Sequence, residues 1–285
     1  MEYQVIQDLE NILEIMELTQ EELASDIGVS RITVNNWLSG KTTISDSHIK
    51  VLYEYAFRKG VRLNKIKEQF YTEDYVSKGE ILLFHGSKIG IEGKIDLTHN
   101  KRINDFGKGF YCGESLEQSA MFVATYPGSS LYMLKFNPQN LKKRVFHVDR
   151  DWMLMVAYFR GNLKEYEESE IIQRLIKGNE EADYIVAPIA DNRMFEIIDS
   201  FIDGEITDVQ CQHCLSATNL GNQYVFITQK AINQITLLEK CFLSEPEKDL
   251  YLTSRQENFK MNMDKVKLAR KQYRNQGEYI EDILK

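Results

Sequence analysis

The sequence predicts an α+β protein: an all-helical N-terminal part, then a larger part that mixes short strands with helices. Three observations lead there. Apolar residues recur at helical spacing through residues 1–60. From Ile81 onward, short β-type runs (ILLFH, LYMLKF, YIVAPI, QYVFIT) stand between helical stretches of roughly ten to fifteen residues. Their order lacks the regular strand–helix alternation of a doubly wound sheet, which favours α+β over α/β. A chain of 285 residues, 43% hydrophobic and 27% charged, has the length and balance for two globular domains.

Leu9, Ile12, Leu13 and Met16 share one face of an opening amphipathic helix. Thr19 caps a second helix, and Glu22 three residues later completes a capping box. Leu23, Ala24 and Ile27 form its inner face, and Gly28 suits a left-handed turn. Ser30 caps a third helix that buries Val34, Trp37 and Leu38 and stops at Gly40. Ile44, Ile49, Leu52 and Tyr53 supply further helix. Residues 58–79 are charged and mixed, and we place a connector with some helix at 61–79, the sheet-bearing domain at 80–245 and a basic helical segment at 246–285. Further on, DWMLMVAYFR reads as a helix with Trp152 in the core and Arg160 at its rim.

No apolar run approaches the roughly 18 residues a membrane helix requires. The start is acidic and amphipathic, unlike a signal peptide, so a cytoplasmic protein with no membrane partner is expected. Cys112, Cys211, Cys214 and Cys241 are too few for a disulfide framework. The net charge of −8 excludes a protein that coats nucleic acid generally. Residues 1–60 carry ten acidic and five basic side chains, so any DNA contact there rests on a local patch.

The run TQEELASDIGVSRITVNNWLSGK resembles the helix-turn-helix of phage-repressor-like regulators, over about the first sixty residues. The resemblance implies that the third helix enters the major groove. Its outward residues would be Arg31, Ile32, Asn35 and Asn36, with Gln20 opening the helix before it. Arginine pairs with guanine and asparagine with adenine through two hydrogen bonds each. Ser30 and Lys41 suit phosphate, and such readers commonly bind as homodimers. The alternative is a small helical bundle that keeps the fold and serves only dimerisation or partner binding.

Three further segments, LFHGS at 83–87, FGKGFYCGESLEQSAMF at 106–122 and NQYVF at 222–226, resemble in order the NAD-binding core of ADP-ribosyltransferases of the poly(ADP-ribose) polymerase-like branch. The family implies a split, mainly antiparallel sheet domain with NAD as substrate and no metal. Breaking the glycosidic bond of NAD expels neutral nicotinamide and leaves an oxocarbenium-like ribose. Catalysis therefore needs a rigid grip on the ring and stabilisation of developing positive charge. By resemblance His85 bonds a ribose hydroxyl, the Gly86 backbone holds the nicotinamide amide, Ser87 belongs to the NAD-binding residues, Tyr111 and Phe122 stack on the nicotinamide ring, and Ser119 grips its carboxamide. Taken singly, each of these aromatics is more often core.

Gln223 stands where the polymerases carry glutamate. It keeps a hydrogen-bonding end without the charge, which points to single ADP-ribose transfer rather than chain elongation. Another carboxylate would compensate, and Asp191 in APIADN is the candidate, with an ordinary turn residue as the equal alternative. Cys211, His213 and Cys214 lie in a helix capped by Thr207, and the two cysteines read as buried rather than as metal ligands, since a structural zinc needs four ligands. The segment Lys260–Arg274 carries six basic side chains against one acidic, a cationic helix that is either simply solvated or a surface for an acidic acceptor or antitoxin-like protein. Together these features fit a mono-ADP-ribosyltransferase of toxin or phage-defence type with self-regulating DNA binding. A transcription regulator with a degenerate NAD-binding domain, or a plain NAD glycohydrolase, is the alternative.

Overall fold

The computed structural model describes residues 2–97, 104–218 and 221–284, with the side chains of Ser77 and Asn258 excepted. Five helices come first: α1 (Val5–Ile15), α2 (Gln20–Ile27), α3 (Arg31–Leu38), α4 (Asp46–Arg58) and α5 (Leu63–Tyr75). Strand β1 (Ile81–Ser87), β2 (Phe110–Gly113), α6 (Leu116–Val123), β3 (Ser130–Phe136) and β4 (Lys143–Val145) follow. Then come α7 (Arg150–Arg160), α8 (Glu170–Glu180), β5 (Tyr184–Pro188), α9 (Asn192–Ile202), α10 (Asp208–Ser216) and β6 (Asn222–Phe226). The chain finishes with α11 (Gln229–Ile232), β7 (Ile235–Cys241), α12 (Glu245–Gln272) and α13 (Ile280–Leu284).

The protein is thus α+β, with a helical N-terminal region and a mixed sheet. Its contacts divide it into two compact units: residues 1–91, 119–135 and 237–254, and residues 92–118, 136–236 and 255–285.

In the first unit Leu9, Ile12, Leu23, Val34, Trp37 and Leu52 make one apolar cluster, because the helical spacing of α1 to α4 brings these residues inward together. Helix α5 supplies helix within the segment expected as a connector with some helix. It buries Leu63, Asn64 and Lys67. The Lys67 ammonium lies between the carboxylates of Asp8 on α1 and Glu239 on β7, all three buried. Desolvation opposes that charge, yet the two carboxylates outweigh it and raise the lysine's pKa. Strands of this unit follow the order β1-β3-β7.

The second unit orders its strands β4-β5-β6-β2. Strand β4 runs parallel to β5, whereas β5–β6 and β6–β2 are antiparallel, so the sheet is mixed. The register sets Tyr111 opposite Val225 and Gly113 opposite Gln223. Trp152, Met153, Leu154, Ile185, Phe201 and Val225 lie in its core. Helix α7 can bury six consecutive residues, Trp152–Ala157, because neighbours cover it on more than one side.

Candidate functional site

Helices α2 and α3 are held as their caps dictate. The Thr19 hydroxyl accepts from the Glu22 amide at 3.2 Å, and the Thr19 amide donates to the Glu22 carboxylate at 2.9 Å. Gly28 ends α2 at φ 75°, and a β-carbon there would meet nothing, so the demand is for the left-handed backbone alone. The Ser30 hydroxyl accepts from the Thr33 amide at 3.1 Å, which commits that side chain to capping α3. Val34 and Trp37 turn into the core, as their spacing implies. Arg31, Ile32, Asn35 and Lys41 are exposed, while Asn36 and Gln20 are half-buried. Ile32 is 71% exposed.

Other residues singled out in the first unit sit at the end of β1 and on α6. Gly86 is tied to its neighbours by packing: a β-carbon would lie 2.8 Å from the Ser119 carbonyl oxygen and 2.7 Å from Val123. The close approach of α6 therefore demands glycine before any ligand is considered. The Ser119 hydroxyl is buried and donates to the Phe84 carbonyl at 3.2 Å, fastening α6 to β1. Ser87 donates to the Gly90 carbonyl at 2.9 Å and shapes the turn after β1. The His85 ring lies 6.4 Å from that of Tyr132. Phe122 is 54% exposed, and the Lys88 ammonium stands over the neighbouring Tyr126 ring at 3.9 Å. The same ammonium stands 5.6 Å from the centre of the Phe122 ring.

The second unit holds Tyr111, Gln223 and Asp191. Tyr111 donates its hydroxyl to the Gly107 carbonyl at 2.8 Å and accepts from the Phe106 amide at 3.2 Å. Burial raises its pKa, so the phenol stays neutral. The tyrosine closes the turn that leads into its own strand. Both glycines of FGKGF are set by packing, since β-carbons at Gly107 and Gly109 would press on Phe159 and on the Phe226 carbonyl.

Gln223 is buried and donates through Nε2 to Asp105 Oδ2 at 2.8 Å and to the Pro188 carbonyl at 3.1 Å. Arg160 donates to Asp105 Oδ1 at 2.6 Å, with its guanidinium 3.1 Å above the Phe195 ring. Arg160 therefore does more than line a rim: it pairs with a buried carboxylate. Sequence reasoning missed Asp105. It immediately precedes the FGKGFY run, but its partners lie 55 and 118 residues away. Asp191 has a different occupation. Its Oδ1 caps α9 by accepting from the Arg193 and Met194 amides, and its Oδ2 pairs with the Arg193 guanidinium at 2.8 Å.

Cys211 and Cys214 are buried on α10, with sulfurs directed at the Ile197 and Val266 carbonyls. His213 stacks on Tyr273 at 3.5 Å, nearly parallel. Among the described residues no group of three His, Cys, Asp or Glu side chains is arranged to hold a metal ion. On α12, Val266 is half-buried, Ala269 buried and Met261 56% exposed, and Tyr273 just past its end is half-buried. Lys260, Lys265, Lys267, Lys271 and Arg274 all face solvent. No helix among the described residues is long and apolar enough to cross a membrane.

Residues 81–237 match the family described as a protein of unknown function (DUF3990), and residues 9–53 match the helix-turn-helix family. No curated protein and no solved structure matches the chain. The N-terminal helices thus form a helix-turn-helix region of the kind that binds DNA.

Proposed function

We propose that this chain, which belongs to the DUF3990 family of unknown function, is a DNA-reading regulator whose sheet-bearing part acts as an NAD-dependent mono-ADP-ribosyltransferase. The DNA half has the firmer support. Its single carrying observation is the firmly capped α3, which presents Arg31 and Asn35 to solvent within a matched helix-turn-helix region. A reader of this type acts as a homodimer on an operator, and self-regulation of its own gene follows naturally.

The transferase half rests on the ordered resemblance of residues 83–87, 106–122 and 222–226, and on a buried carboxylate beside Gln223. In the reaction the ribose–nitrogen bond of NAD breaks and its electron pair leaves with nicotinamide, which becomes neutral. A nucleophilic oxygen or nitrogen of the acceptor then bonds the ribose carbon and gives up its proton. A toxin or defence enzyme of this kind needs a macromolecular acceptor and a restraining, antitoxin-like partner. A specific observation keeps the second reading in play, a regulator that binds NAD without turnover: Gln223 brings no charge of its own.

One experiment separates them. The full chain is incubated with NAD carrying separate labels on nicotinamide and adenosine, together with fractionated cell extract, with His85→Ala alongside. Release of nicotinamide that falls about a hundredfold in the variant, with single labelled units on an acceptor, supports transfer. Binding without release leaves the regulator, labelled ADP-ribose free in solution means hydrolysis, and polymer ladders sink the single-transfer reading.

A further inference from the structure

We propose that Asp105 is a positioning residue for the transferase site, orienting the Gln223 amide and turning the negative end of its pair with Arg160 toward it. This rests on the transferase reading above.

Both acceptors of Gln223 Nε2, the Asp105 carboxylate and the Pro188 carbonyl, can only accept. An amide turned the other way would set its oxygen against two oxygens, so the network admits one orientation. Both N–H groups are then spoken for, and Oε1 remains as an acceptor. That is the part a glutamate oxygen plays toward a ribose hydroxyl.

Asp105 is 6% exposed, and its charge acts through a poorly screened interior. Arg160 pairs with the opposite oxygen, and the Ala190 amide donates weakly at 3.4 Å to the oxygen that holds Gln223. The Arg160–Asp105 pair is therefore a fixed dipole with its negative end toward Gln223. Such a dipole needs no reorganisation as positive charge grows on the ribose, which is the condition for electrostatic catalysis. Asp191, the acid favoured by the sequence, is committed to the start of α9 and is not part of this arrangement.

The test uses the full chain and NAD labelled in nicotinamide. Asp105→Asn keeps the size and removes the charge. NAD affinity by calorimetry should stay within about twofold, and the melting temperature within a few degrees, while turnover for nicotinamide release falls about tenfold or more. Adding Gln223→Glu to that variant moves the acid to the neighbouring side chain and should restore most of the rate. Gln223→Glu alone puts two acids in contact, so its release should rise with pH as the second acid ionises. A purely structural Asp105 would show neither rescue nor a new pH dependence.

Wild-type turnover in Asp105→Asn overturns this proposal and leaves the transferase reading standing. Failure of the wild type to release nicotinamide overturns both. Should Asp105→Asn lose its fold, the double variant decides: folded and inactive, it overturns the proposal.

Discussion

Glu247 shows what a single buried group contributes. It lies on α12, 8% exposed, and Asn64 of α5 donates to its carboxylate at 3.1 Å. Burial raises its pKa from the ordinary 4.5 to about 7, against the lowering effect of the Asn64 hydrogen bond. A group that binds its proton more tightly when folded favours the fold at low pH. That contribution is complete below the unfolded value and is lost as pH rises through about 7. Thermal unfolding should therefore show stability falling from pH 5 to pH 8, and Glu247→Gln should flatten the fall in that window. An unchanged slope would mean that Glu247 ionises as it does in the unfolded chain. Lys67 differs, because its charge is compensated on both sides by Asp8 and Glu239. Removal of that ammonium would leave two buried acids unpaired, the costlier kind of break.

At the scale of elements, α3 and α12 present opposite cases. The α3 surface is small, with Arg31 and Asn35 fully open and Asn36 half-buried. Replacing Arg31 with alanine should cost about 1–3 kcal/mol at one base pair and relax specificity there, as an operator footprint with base substitutions would show. A uniform loss across all sequences would instead make Arg31 a phosphate contact. The C-terminal half of α12 has its basic residues facing solvent and packs through Val266 and Ala269, with Tyr273 half-buried just past its end. Neutralising Lys260, Lys265, Lys267, Lys271 and Arg274 should weaken labelling of an acidic acceptor and leave NAD hydrolysis to water unchanged. Equal loss of both activities would give the helix a folding role.

For the molecule as a whole, the net charge of −8 bears directly on DNA binding. Phosphate contacts release counterions, so the affinity falls with salt in proportion to their number. Arg31, Lys41 and Lys50 are the cations of residues 20–50, and all are exposed, so the log–log salt slope should be no steeper than about −3 per bound copy. A clearly steeper slope would mean that a second basic surface, with α12 foremost, also lies on the DNA. A slope within that limit would mean that specific recognition depends little on general electrostatic attraction.

Local signals carried much of this protein. The capping box at Thr19 and Glu22, the turn at Gly28, the cap at Ser30 and the buried Trp37 all follow from residues within a few positions of one another, and each is present as read. Strands β1, β3, β5 and β6 announced themselves as apolar β-type runs of adequate length. Strands β2 and β4 are short, and β7 carries Glu239 and Lys240 within it, so neither length nor pattern marked them. The packing of α5 was not legible because its inward face includes Asn64 and Lys67, polar side chains whose partners lie on distant elements. The same reason hid Asp105. A carboxylate is ordinary in sequence, and it becomes part of a site only when the fold closes 118 residues of chain to set Gln223 against it. The sequence by itself determined the caps, the helix faces and the order of the motifs, because those depend on neighbours along the chain. The tertiary structure alone decided which buried charges met partners, because desolvation is offset only by groups that folding brings within hydrogen-bond reach.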